Sequence, residues 1–144
     1  MKSDKIPVLI RLETVILDDN GEERNSSSHA GMLRRAEHAD IITYEEEYEG
    51  SIVRNLVTVK SASASIKRSG AVGMHQSFKP DGITENVYQH PHGSLHMETR
   101  TERFFHGIGP DGGKLEIAYT VRLNGQEERN HQLMFEYEKE ADGE

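Results

Sequence analysis

Between Lys114 and Leu123 every second residue is apolar: Leu115, Ile117, Tyr119, Val121 and Leu123. A period of two belongs to a strand with one buried face and one wet face, and a helix at 3.6 residues per turn cannot satisfy it. The same beat recurs through the chain. Ile6 to Leu17 sets Ile6, Val8, Ile10, Leu12 and Ile16 on one face, with Arg11 and Glu13 opposite. Asp40 to Tyr48, Ser51 to Lys60, Ser61 to Arg68, Val72 to Phe78, Leu95 to His106 and Arg129 to Glu138 follow suit. The last segment brings His131, Leu133, Phe135 and Tyr137 together. Between Ser61 and Arg68, the residues Ala62, Ala64, Ile66 and Arg68 share the face expected to point inward.

The punctuation agrees with this beat. Asn20-Gly21, Glu49-Gly50, Ser69-Gly70, Lys79-Pro80-Asp81-Gly82, the segment Gly107 to Gly113 and Asn124-Gly125 supply turn chemistry, because Gly and Asn accept the backbone angles that tight turns need. The segment Glu22 to Glu37 is the least legible. Its Asn25-Ser26-Ser27-Ser28 resembles a loop and its Met32 to Glu37 a helical turn, but flanking hairpin partners favour a polar strand. Eight to ten strands joined by short turns predict an all-β fold, a single closed antiparallel up-and-down barrel, with no helix longer than about two turns. At 144 residues one domain is expected, spanning the whole chain, with residues 138–144 as a frayed acidic tail.

Composition narrows the partners. Acidic residues outnumber basic ones 25 to 17, a formal charge of −8, and such a surface repels phosphate. Nucleic acid and anionic membranes are therefore poor partners. Cysteine is absent, which removes disulfides and thiolate chemistry. No window approaches the roughly 18 apolar residues of a spanning helix, and the N-terminal residues enter a strand pattern without a leader-like stretch. Cytoplasmic is the expected location. The oligomeric state is not legible.

Four short motifs carry a family likeness. Tyr44-Glu45-Glu46, Ile66-Lys67-Arg68-Ser69-Gly70, Tyr88 ahead of Pro91-His92-Gly93, and Ile117-Ala118-Tyr119 fall in an order and spacing that resembles the YwiB-like family of small bacterial proteins. The likeness runs from about Ile6 to Tyr137. It implies a calycin-type, lipocalin-like closed barrel, and it supplies no catalytic residues, since the family is functionally uncharacterised. Where the family pattern carries a small hydroxyl residue and an aromatic or aliphatic one around the proline, this chain has His90 and His92.

Candidate site residues follow from chemistry. An inward Arg68 must recover its lost hydration from a partner. It either caps the barrel end, bonded to carbonyls or to a carboxylate such as Glu45 or Glu47, or reads a carboxylate or phosphate with its bidentate fork. Tyr88, His90, Tyr119 and His131 complete the expected ligand-binding set, because ligand cavities pair apolar walls with a few such polar groups. Tyr137 is placed for the same role. His90, His92 and His96, or His75 and His106 from neighbouring strands, are candidate metal ligands of a cupin-like enzyme. However, the cupin pattern wants a carboxylate four or five positions on, whereas Glu98 sits six beyond His92, and Pro91 breaks the alternation. No nucleophile elbow or phosphate-cradling loop is present, and no cofactor is expected. The function these features favour is non-enzymatic binding of a small apolar or amphipathic ligand in the barrel. A metal-dependent enzyme and a filled barrel that acts on a protein partner are the alternatives.

Overall fold

The computed structural model describes residues 5–140, apart from the side chain of His90. The alternation is realised as ten strands: β1 (Lys5–Asp18), β2 (Gly21–Arg35), β3 (Asp40–Tyr48), β4 (Ser51–Val59), β5 (Ala64–Gly70), β6 (Met74–Phe78), β7 (Ile83–His90), β8 (Gly93–Gly109), β9 (Gly112–Leu123) and β10 (Arg129–Lys139). Every sequential pair except β6 with β7 forms an antiparallel ladder. The first and last strands zip together from Val8↔Lys139 to Leu17↔Asn130. The result is a nearly closed, ten-stranded antiparallel barrel, without a helix among the described residues. None is therefore long and apolar enough to cross a membrane.

The remaining seam, between β6 and β7, is thin. It is held by the Gly73↔Gln89 bridge, by Pro80↔Thr101, by Thr84 Oγ1 donating to Ser77 O at 3.0 Å, and by Gln76 Nε2 donating to Thr99 Oγ1 at 2.9 Å. Side chains thus replace part of a missing backbone ladder.

The expected polar strand at residues 22–37 is β2, which ends at Arg35 with no helical turn. Several details depart from the sequence reading. The turn expected over Gly107 to Gly113 shrinks to Pro110-Asp111, because Gly109 and Gly112 continue to pair. Ala62 lies outside β5 and is exposed, so it does not widen the interior. Strand β8 carries a bulge between Thr101 and Arg103. The extra residue flips the parity, so Phe104 packs on the core while Phe105 points outward, 54% exposed. At the chain's end, pairing persists to Lys139, and Glu140 N donates to Pro7 O at 3.1 Å. The tail expected from 138 thus begins in ordered structure, and residues 141–144 lie outside those described.

The interior is filled. Val8, Ile10, Leu33, Ile42, Val57, Val59, Met97, Leu115, Ile117, Leu133 and Phe135 are buried in one cluster. Aromatic contacts cross the barrel, Tyr44 to Phe135 at 6.2 Å and Phe78 to Tyr119 at 4.8 Å between ring centroids. Ala64, expected to leave room, sits opposite Phe78, which takes that room.

Candidate functional site

The two ends of the barrel carry different polar clusters. At one end Asp40, the first residue of β3, is buried, its side chain 4% exposed. Tyr137 Oη donates to its Oδ2 at 2.6 Å. The phenol oxygen also meets His106 Nε2 at 3.2 Å. Arg35 Nη2 donates to Gly109 O at 2.8 Å and to Gly112 O at 2.9 Å, which ties the β8–β9 turn across this end. Gly112 must be glycine for this closure, since a Cβ there would strike the Tyr137 carbonyl. Burial first, then the neighbouring Asp40, raises the Tyr137 phenol far above its ordinary range. Desolvation also lowers the His106 imidazole. A neutral phenol and a neutral imidazole around one buried carboxylate make a seal.

At the other end the inward face of β3 continues through Tyr44 to Glu46. Arg68, on β5, donates from Nε to Asn55 Oδ1 at 3.1 Å and from Nη2 to Glu46 Oε1 at 3.1 Å. Asn55 Nδ2 completes the triangle by donating to the same Glu46 oxygen at 2.9 Å. The carboxylate expected for Arg68 was Glu45 or Glu47; the structure supplies Glu46. Parity is the reason, because Glu46 shares the inward face with Tyr44, while Glu45 faces out and meets Arg54 at 3.6 Å. This cluster is partly wet: the Arg68 and Glu46 side chains are 26% and 29% exposed.

The wall is split beside it. Strand β2 pairs with β3 only from Gly31↔Tyr44 to Arg35↔Asp40, and then the two part. Gly31 allows the crossing, since a Cβ there would meet Thr43 O at 2.5 Å and Ile10 Cδ1 at 2.7 Å. Where they part, a cleft of about 700 Å³ opens, lined by Pro7, Ala30, Met32, Thr43, Leu56 and Lys67 and reaching Tyr44 and Asn55. Met32 and Leu56 are 41% and 37% exposed, an apolar pair facing solvent on the cleft floor. Arg54, Lys67, Glu45 and Glu140 add charge of both signs.

The sequence-derived site residues divide. Arg68 sits at the cleft end, joined to the cleft through Asn55. Tyr88, half-buried on β7, lies near Tyr48 and Arg68: burial raises the Tyr48 phenol first, then Glu49 and Tyr88, while Arg68 opposes them. Tyr119 and His131 form a stack of their own, ring centroids 5.0 Å apart and planes 16° apart, in the wall of β9 and β10. Desolvation pushes the Tyr119 phenol up to about 12 and, with Arg129 assisting, the His131 imidazole down to about 4. Tyr119 touches Phe78 as well, so its ring packs between the core and His131. The side chain of His90 lies outside those described; its backbone pairs with Gly93. His96 is exposed and donates from Nε2 to Glu85 Oε1 at 2.9 Å, whereas His92 lies in the turn. His75 faces solvent on β6, and His106 belongs to the sealed end, so these two do not join a histidine site as expected. Among the described residues no three histidine, aspartate or glutamate side chains gather to hold a metal ion.

Sequence reasoning missed Glu46, Asn55 and the Met32–Leu56 floor. The parity of Asp40, Ile42, Tyr44 and Glu46 signals the first. Nothing local signals the split.

A solved structure described as "Crystal structure of ywiB protein from Bacillus subtilis" superposes with a TM-score of 0.87 at 25% identity, over 96% of this chain and 95% of that one. The "Uncharacterized beta-barrel protein YwiB" of Bacillus subtilis (strain 168) is 26% identical over 132 residues, 92% of this chain and 93% of its own. A family model described as "Domain of unknown function (DUF1934)" matches residues 10–135. The resemblance read from the four motifs is thereby borne out: this chain belongs to the DUF1934 family of uncharacterised β-barrel proteins.

Proposed function

We propose that this barrel is a non-enzymatic binding protein for a small amphipathic ligand, held in the cleft where β2 leaves β3 rather than in the barrel's centre. The observation that carries the reading is the cleft itself. It has the volume of a small-molecule site, its floor exposes Met32 and Leu56, and it runs to the partly wet Arg68–Glu46–Asn55 cluster. An apolar stem would cover the floor, and a polar head would reach Arg54 and Lys67 at the rim. The calycin-like kinship belongs to this reading, with the site moved from a lumen that aromatic side chains fill to a gap in the wall.

Native mass spectrometry of the freshly purified protein is expected to find a retained organic mass, or else uptake of the amphipathic probe anilinonaphthalene sulfonate. Leu56→Glu, on the exposed floor, should weaken probe uptake by about tenfold with an unchanged melting temperature. Uptake undiminished by Leu56→Glu would overturn the cleft. A retained metal ion in place of an organic mass would favour the enzymatic alternative.

A further inference from the structure

The split that opens the cleft also leaves the greater part of β2 without a second neighbour. From Gly21 to Ala30 the strand pairs with β1 alone, and none of these residues makes a further backbone hydrogen bond among the described residues. Gly21 to Ser28 are all exposed. In an extended strand successive residues direct their N–H and C=O groups to opposite sides, so half of this stretch offers its backbone to solvent along one edge. Such an edge is a template for another strand. Barrels ordinarily have no edges, and this one keeps a long one.

We infer that this edge receives an extended, lysine- or arginine-bearing segment of another protein, added beside β2 by antiparallel or parallel β-augmentation. Charge selects the occupant. The part of the β1–β2 ribbon along this edge, Leu9–Asp18 with Gly21–Ala30 and the turn between them, carries Glu13, Asp18, Asp19, Glu22 and Glu23 against two cations, Arg11 and Arg24. Arg24 is already engaged by Glu22 at 3.0 Å and by Glu13 at 3.6 Å. The whole chain is at −8, so a second copy would bring like charges onto the same edge, whereas a basic strand would meet complementary ones. Small residues in the middle of the edge, Ser26, Ser27 and Ser28, leave the backbone accessible from both faces. The surface uses main-chain groups of β2 and stands independently of what fills the cleft.

Hydrogen exchange on the intact protein tests it, with a synthetic peptide of alternating lysine and threonine as the probe and its glutamate counterpart as the control. The lysine peptide should slow exchange within Gly21–Ala30 and leave the β6–β7 seam unchanged. Glu22→Lys combined with Glu23→Lys, both on exposed positions, should raise the peptide concentration needed by about tenfold. Three results would overturn the inference: no slowing on the wild-type protein, equal slowing by the glutamate peptide, or slowing that grows with protein concentration alone. The last would assign the edge to a second copy.

Discussion

The two ends of this barrel each set an arginine against a carboxylate, yet they do opposite things. At the sealed end Asp40 is withdrawn from water; Tyr137 donates to it, His106 meets the same phenol, and Arg35 Nε stands 3.7 Å from the carboxylate while its Nη2 bonds the carbonyls of Gly109 and Gly112. At the cleft end Arg68 and Glu46 meet directly, at 3.1 Å, but about a quarter of each side chain stays in water. Burial decides the difference. A carboxylate without solvent depends on every donor it has, whereas a half-wet pair shares its load with water and is correspondingly cheaper to disturb. The first arrangement locks strands together. The second leaves charged groups accessible beside an apolar floor, which is what a binding site requires.

The comparison is broken most severely at Tyr137. Tyr137→Phe removes the donor to a buried carboxylate and is expected to cost about 3 kcal/mol, lowering the melting temperature by roughly 10 °C. Thermal unfolding measures it. A variant that melts like the wild type would mean that Asp40 does not depend on this bond.

A second disturbance comes from acid. The His131 imidazole is held at about 4 by desolvation, whereas in the unfolded chain it titrates near 6.5. Between those values the unfolded state binds the extra proton, so stability rises with pH. The contribution is whole above about pH 6.5 and is lost as pH falls toward 4, at a cost on the order of 2–3 kcal/mol. His106, lowered in the same direction, adds to the loss. His131→Phe keeps a ring on Tyr119 and should flatten most of the slope in chemical denaturation between pH 6.5 and 4. An unchanged slope would place the acid sensitivity elsewhere.

Arg68→Met comes third. With its partners partly hydrated, the loss should be about 1 kcal/mol, well short of the 3–5 kcal/mol that breaking a fully buried pair costs. If it equals the loss from Tyr137→Phe, the two ends are energetically alike and the contrast fails. Arg54→Ala, which removes the exposed partner of Glu45, should change stability by less than about 0.5 kcal/mol.

Much of this architecture is written locally. The beat of Leu115 to Leu123 is β9, and that of His131 to Tyr137 is the inward face of β10, because a period of two leaves no other way to bury one face. Asp40 to Tyr48 is β3 to the residue. The inward Arg68 was legible as a charge on an apolar beat. Its partner was half-legible, since parity favours Glu46 but only the pairing of Asn55 with Arg68 brings the strands into reach. What the local pattern does not hold is where long-range pairing stops. Neither the bulge at Thr101–Arg103 nor the parting of β2 from β3 has a local signal, since both are features of pairing between strands. Ser26-Ser27-Ser28 accordingly looked like a loop, because a strand with a free edge and no buried face has no apolar beat to show. The histidine run around Pro91 promised convergence, but spacing in a turn does not bring side chains from separate strands together.

The proposed site lies in the split wall and not in the barrel's interior. Backbone-amide NMR during titration with anilinonaphthalene sulfonate tests it directly. Shifts should concentrate at Ala30, Met32, Thr43, Leu56 and Lys67, with Met97, Leu115 and Tyr119 undisturbed. Shifts centred on Met97, Leu115 and Tyr119 would contradict it, because the ligand would then lie among the side chains that fill the barrel.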